Sequence, residues 1–237
     1  MEDKSLYRYC FISRIVIEAV TPLAVGSGDK DIITDARVAK DVNGLPYIPG
    51  TSLAGIIRHA VGENNSESHI WGFQKRNGGR GLQIIFTNAN IMDEDGTVTD
   101  GFAKKSGFLN HFIDLPIRQH AKLNEKGTAA NTGKFDEEIV YKGTRFCFEI
   151  ELMMTDGSLE ADKADFNHIL SEFYSKSFRI GGGTRSGFGE VKVISCKRRT
   201  LDLKDNNDMQ AYLQKSSSLA DSSFWASAET FKAPGKE

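Results

Sequence analysis

An α+β fold is what the sequence predicts, and three observations predict it. Two stretches, CFISRIVIEAV (10–20) and GTRFCFEIELMM (143–154), alternate apolar and polar residues at the period of a strand. Two others, SLAGIIRHAVG (52–62) and SLEADKADFNHILSEF (158–173), place apolar residues at helical spacing. A glycine-rich turn, FRIGGGTRSGFGEVKV (178–193), runs straight into a last alternating strand. With the apolar run LQIIFTNANI (82–91) the order is strand, helix, strand, then strand, helix, strand. That is the split order of a ferredoxin-like or RRM-like fold whose long loops are insertions.

Each element has its own signals. Thr21-Pro22, Gly26 and Gly28 end the first strand and open a long loop that returns at IPG (48–50). Thr51 or Ser52 is placed to cap the next helix, Leu53, Ile56, Ile57 and Ala60 form its apolar stripe, and Gly62 stops it. After the polar break NNSES, the segment WGFQKRNGGRG leads into the second strand, with Trp71 and Phe73 as core residues. Residues 92–134 show little periodicity and are long for a connector, which predicts an irregular extension. In 143–154, Phe146, Phe148, Ile150 and Leu152 share one face. Ser158 caps the second helix, whose Leu159, Phe166, Ile169, Leu170 and Phe173 turn inward, and GEVKVISC (189–196) is the last core strand. Residues 201–237 read as a C-terminal extension, a polar, serine-rich peripheral tail with one short helix around Met209–Leu213. The expected organisation is one domain over 1–200, interrupted by an insertion at about 92–134, followed by that extension.

At 237 residues the chain can bury a core without metals or disulfides. With 39% hydrophobic and 26% charged residues and no run of membrane-spanning length, it is expected to bind no membrane. The charged N-terminal stretch MEDKSLYRYC lacks the apolar region of a signal peptide, and the three cysteines form no CxxC pair. Both point to a cytoplasmic protein with reduced, buried thiols. The formal charge of −2 is low for a nucleic-acid binder. Acidic residues gather in DEDGTVTD, FDEEIV and LEADKAD while arginines fall beside glycines, so one basic face remains compatible with that total.

The glycine-rich turn carries the first functional reading. Gly181, Gly182 and Gly183 can take positive φ and bring main-chain N–H groups together, which suits an anion such as phosphate. Arg179 and Arg185 flank them, and guanidinium forks beside open amides make a sugar-phosphate cradle. The alternative is a glycine-rich turn with two solvated arginines, and this segment alone does not separate the two. A dinucleotide fingerprint is excluded because these glycines lead into a strand rather than a helix. SGFGEVKV imitates an RNP1 motif in part, but Glu190 and Val193 stand where stacking aromatics are needed.

The second segment, PLAVGSGDKDIITDARVAKDVNGLPYIPGTSLAGIIRHAVG (22–62), combines with that turn in a fixed order. Taken with DLPIRQHAKLNEKGTA and EEIVYKGTRFCFEIEL, the chain resembles the RAMP proteins of type III CRISPR effector complexes, in particular the Csm/Cmr-type, Cas7-like backbone subunits. The resemblance covers about residues 10–196 and leaves the tail outside. It implies an RRM-like palm with an inserted thumb hairpin, copies of which, or of paralogous subunits, stack in a helical filament along a guide RNA (crRNA). It also implies a large polymerase/cyclase-like subunit and small helical subunits as partners in antiviral defence, with a complementary single-stranded RNA as target.

In catalytic relatives a loop aspartate six positions before an acidic residue cuts the target strand, and Asp35, counted back from Asp41, holds that place. The implied activity is an endoribonuclease needing Mg2+ or another divalent cation, with in-line attack by the RNA's own 2′-hydroxyl and Asp35 as the expected metal ligand. One carboxylate is not a complete cage, so the RNA must supply ligands. Asp29 and Asp31 share the loop, though turn formation accounts for both. Expected RNA contacts are Gly26 and Ser27 in PLAVGSG, Arg37 and Lys40 in TDARVAKD, Thr51 and Ser52 at the helix start, and Arg58 one turn along. Arg118 and Lys122 match a segment where thumb meets palm. Thr184 completes the set with Arg179, Gly181 to Gly183 and Arg185. Lys104, Lys105 and Phe108 are candidates for the thumb tip; His111 and His120 lie nearby without an evident catalytic partner. Relatives usually carry Ser-Ser-Leu-Lys-Gly where this chain has Thr-Ser-Leu-Ala-Gly, so Ala54 removes a lysine contact. Two other readings remain: a non-catalytic guide-binding scaffold, and a repeat-RNA processing nuclease. The IPG-Thr-Ser-Leu start and the scarcity of early histidines argue against processing.

Overall fold

The computed structural model describes residues 7–28, 36–62, 70–75, 78–80, 83–102, 106–123, 129–155 and 159–234, with backbone alone at 73–80 and 122–133 within those ranges. The strands are β1 (Tyr9–Ala19), β2 (Tyr47–Ile48), β3 (Phe73–Lys75), β4 (Gly78–Arg80), β5 (Ile84–Phe86), β6 (Ala89–Ile91), β7 (Ile117–Leu123), β8 (Ala129–Glu138), β9 (Arg145–Met154), β10 (Val191–Asp202) and β11 (Glu229–Thr230). The helices are α1 (Gly50–Ala60), α2 (Gly107–Asn110), α3 (Leu159–Glu172) and α4 (Asn206–Gln214). The main sheet runs β11-β10-β1-β9-β6-β2, with β5 also paired to β9, and its ladders are antiparallel. Stripped of insertions, this is β1-α1-β5/β6-β9-α3-β10 in the spatial order of a ferredoxin-like palm. The fold is α+β, as the sequence predicts.

Strand β1 shows why the palm has two cores. Phe11, Ile15 and Ile17 face the helices, where Phe11 meets Phe166 of α3 with ring centroids 5.8 Å apart. Cys10, Ile12 and Val16 alternate to the opposite face. α1 contributes Leu53 and Ile57 to the first core, and α3 contributes Phe166, Ile169 and Leu170. Ala60, expected in the apolar stripe, is exposed. Neither Thr51 nor Ser52 caps α1: the helix begins at Gly50 after Pro49 with no side-chain cap, and the Gly50 amide donates to Asn88 Oδ1 at 3.0 Å. A Cβ on Gly50 would lie 2.3 Å from the Phe86 carbonyl oxygen, so the helix start is pressed onto the sheet. Ser158 lies outside the described residues.

The run 82–91 is two short strands rather than one. Thr87 takes over the ladder at the break: its amide donates to Glu149 O and its hydroxyl accepts from Glu149 N at 2.8 Å. Between β6 and β9 the chain builds α2 and a separate two-stranded ribbon, β7–β8, in register from Ile117↔Glu138 to Leu123↔Ala129. Phe108, a candidate for the ribbon's tip, instead sits in α2 against Phe112 at 5.3 Å and packs on the core; Lys104 and Lys105 lie outside the described residues.

The C-terminal extension departs furthest from its peripheral reading. Helix α4 forms where expected, but Leu219, Trp225, Phe231 and Ala233 are buried. Trp225 joins Cys10, Ile12 and Leu201 on the sheet face opposite the helices, and Leu219 joins Val98 and Cys147. Glu149 of β9 pins this cover, accepting from Arg14 Nε at 2.9 Å, Trp225 Nε1 at 3.0 Å and pairing with Lys215 at 2.7 Å. A carboxylate this buried is stable only with such partners. Replacing Trp225 by Ala is expected to cost about 3–5 kcal/mol in chemical denaturation, whereas Leu213→Ala, at a side chain 67% exposed, should stay within about 0.5 kcal/mol.

Candidate nucleic-acid interface

Past the end of β1 four segments are laced together. Leu23 bridges Val140, Ala24 bridges Gly181, Gly26 bridges Val38, and Ala36 bridges Glu137. Segment 23–27 therefore lies between the glycine-rich turn on one side and segment 36–40 on the other, with the root of the β7–β8 ribbon beside both. Glu138 locks the last joint: its carboxylate accepts from Val38 N at 2.9 Å and Lys40 Nζ at 2.6 Å, and its amide donates to Ala36 O at 2.9 Å. Lys40 also reaches Ile113 O. Lys40 is thus committed to the scaffold. Asp41 closes the turn 41–45 by accepting from the amides of Asn43 and Leu45.

The glycines are bare first because the chain presses on itself. Gly181 has φ +87°, and a Cβ there would lie 2.4 Å from Ala24 O; Gly189 has φ +85°, with Ile180 O at 2.6 Å from its Cβ position. The Gly182 amide donates to Ala24 O at 2.7 Å. Gly181 to Gly183 nevertheless remain exposed, and among the described residues the amides of Gly183, Thr184 and Arg185 have no acceptor. The three open amides thus begin two residues later than the glycine run itself.

The flanking arginines differ. Arg179 closes the turn, donating to Phe188 O and pairing with Glu190, both at 3.3 Å. Arg185 is exposed, with no partner among the described residues. Arg118 reaches across from the ribbon, its guanidinium 5.0 Å from the centre of the Phe188 ring. Gly26, Ser27 and Arg37 are exposed along the same seam, where Ser27 N donates to Arg37 O at 2.9 Å. Thr51 and Ser52 stand in the first turn of α1, and three residues before that helix the Tyr47 amide donates to Ala39 O. Arg58 stands further along α1, which packs on β5 and α3. Asp35, with Asp29 and Asp31, lies outside the described residues, and so does the side chain of Lys122.

Sequence reasoning passed over Glu137, Glu138, Phe135 and Phe188, and left His120 without a partner. In the structure the His120 ring lies flat on Phe135, with centroids 4.7 Å apart and planes at 8°, and meets Phe188 edge-on. Its Nε2 is 3.4 Å from Glu137 Oε2. The cysteines are chemically quiet: all three are free and buried, and burial pushes the Cys147 thiol up to about 12 and that of Cys196 to about 11. No group of three or more His, Cys, Asp or Glu among the described residues is arranged to hold a metal ion, and Asp35, the expected ligand, is not among those residues.

A seam of open amides and arginines at the root of a protruding ribbon fits a sugar-phosphate chain, and the comparison with known families agrees. The RAMP superfamily model matches residues 16–192. The chain belongs to the RAMP superfamily. No curated protein matches it. As a RAMP protein it is a CRISPR-associated RNA-binding subunit that assembles with other Cas proteins. The RAMP match runs from within β1 to the start of β10, and so takes in the palm, the ribbon and the glycine-rich turn but not the C-terminal cover. No helix among the described residues is long and apolar enough to cross a membrane.

Two substitutions separate crowding from backbone strain at this RAMP turn. Gly187 shares the positive φ of Gly181 but has open space at its Cβ position. Gly181→Ala is expected to destabilise by about 3 kcal/mol and Gly187→Ala by about 1 kcal/mol in urea unfolding.

Proposed function

We propose that this RAMP protein is a guide-RNA-binding backbone subunit of a type III CRISPR interference complex, and that it cleaves complementary target RNA at regular spacing. The observation that carries the reading is the tethering of the acidic loop. Residues 28 and 36 enter and leave that loop beside the Ser27–Arg37 hydrogen bond, and residue 36 is held to Asp136 and Glu138 of the ribbon. Asp35 is the residue immediately before that anchor. The two ends of the acidic loop are thus fixed between the glycine-rich turn and the ribbon, beside the surface on which we place the phosphate backbone.

Arg185 and the amides of Gly183 to Arg185 hold the sugar-phosphate chain, with Arg118 and Lys122 supporting it from the ribbon, which acts as the thumb. Sequence specificity comes from base pairing between guide and target. The divalent cation would lower the charge on the phosphoryl oxygens, with Asp35 as its one protein ligand and the remainder from RNA. Around this subunit we place copies of itself or paralogues in a helical filament, the crRNA, the large polymerase/cyclase-like subunit and the small helical subunits, in the cytoplasm.

Assembly with guide RNA and presentation of a labelled complementary RNA with Mg2+ tests the reading. Regular cuts that disappear in Asp35→Ala while guide and target stay bound are the expected outcome. Intact target with wild-type protein, both RNAs bound, would reduce the subunit to a scaffold. On the binding side, Arg185→Ala should weaken guide affinity and reduce the slope of log affinity against log salt by about one. Arg179→Ala, by opening the turn, should lower thermal stability as well.

A further inference from the structure

We infer that His120, oriented by Glu137, is the proton-transfer residue for strand scission in this groove, an assignment that rests on the nuclease reading above. The two residues sit on opposite strands of the ribbon, and the register that pairs His120 with Phe135 brings the Glu137 carboxylate to the imidazole. The ring is held on several sides: Phe135 stacks on one face, Phe188 meets it edge-on at 6.1 Å, and Glu137 Oε2 lies 3.4 Å from Nε2. Gly182 helps to leave room for this arrangement, because a Cβ there would come within 3.4 Å of Glu137 Oε1. The pair therefore abuts the turn that offers the open amides.

A purely structural role accounts poorly for the polar half of this arrangement. His120 Nε2 is buried without a hydrogen bond, and the Glu137 side chain is only 13% exposed with no other basic group within 4.0 Å among the described residues. A phenylalanine at position 120 would fill the same space without either cost. Catalytic hydrogen bonds in ligand-free sites are often long and tighten when substrate binds. When Nε2–H donates to Glu137 as the site tightens on substrate, Nδ1 is left as the basic nitrogen, and the 22% of the side chain still exposed excludes Nε2. Of the charged groups on the elements packed here, Arg118 lays its guanidinium over the Phe188 ring, Lys134 and Asp136 flank Phe135 on β8, and the Arg179–Glu190 pair is closed on itself.

The chemistry balances among the RNA, the side chain and solvent water. The 2′-hydroxyl loses its proton to Nδ1 as its oxygen bonds to phosphorus. The bond from phosphorus to the 5′-oxygen breaks, that oxygen takes a proton from solvent water on the opposite side, and the imidazolium releases its proton to solvent. The products are a 2′,3′-cyclic phosphate and a 5′-hydroxyl, and the imidazole ends as it began.

The test is single-turnover target cleavage by the guide-loaded complex across about pH 5.5 to about pH 8.5, with guide and target affinities measured on the same preparations. His120→Gln and His120→Phe should each slow cleavage about 100-fold or more, leave both affinities within about twofold, and flatten the dependence of rate on pH. Glu137→Gln, which keeps the shape and removes the orienting carboxylate, should slow cleavage while leaving both affinities within about twofold. Unchanged rates and profiles in the histidine variants, while wild-type protein cuts, would overturn this assignment and leave the nuclease reading standing. Loss of guide binding in both variants would make the ring structural and overturn it equally. Failure of wild-type protein to cut a bound target would remove both.

Discussion

Everything along the seam depends on one buried carboxylate. Glu138 terminates β8 and accepts from the Val38 amide and from Lys40, and its own amide donates to Ala36. It converts three separate excursions from the palm into one surface: segment 36–40 is fixed to the ribbon, segment 23–27 to 36–40, and the glycine-rich turn to 23–27. A buried carboxylate with charge-assisted partners is strong where the partners are present and costly where one is missing. The seam therefore forms as a unit.

The palm was legible in the sequence because period alone determines which face of a strand or helix is buried. Alternation in 10–20 and 143–154 and helical spacing in 158–173 place the side chains where the structure has them. Legibility ended where a polar side chain did a backbone's work, as Thr87 and Asn88 do in splitting the run 82–91. It also ended where burial has no period: Leu219, Trp225 and Phe231 are spaced six residues apart among serines and charges, and only the surface they cover explains them.

The candidate site shows a different limit. The glycine-rich turn was visible as exposed backbone, but much of its bareness answers to Ala24 and Ile180 rather than to a ligand, and the amides without acceptors begin at Gly183. Arg179 and Arg185 look equivalent on paper and are not, since Glu190 claims the first. His120 and Glu137 stand far apart in the chain and meet only through the ribbon's register, which shifts between Ala121 and Leu123. No local pattern encodes that pairing. The sheet face that RNA-stacking domains of this architecture leave open is occupied here by Trp225 and its neighbours, so it is closed to stacking bases.

The cover on that face sets an order on the birth of the molecule. β1 is made long before the residues that cover it: its Cys10 and Ile12 wait for Trp225, and its Arg14 shares Glu149 with Lys215. The sheet stays half dressed while the ribosome works through the intervening segments, with an apolar strip open to other nascent chains. A strand whose outer face is covered only by residues about two hundred positions downstream completes its packing late.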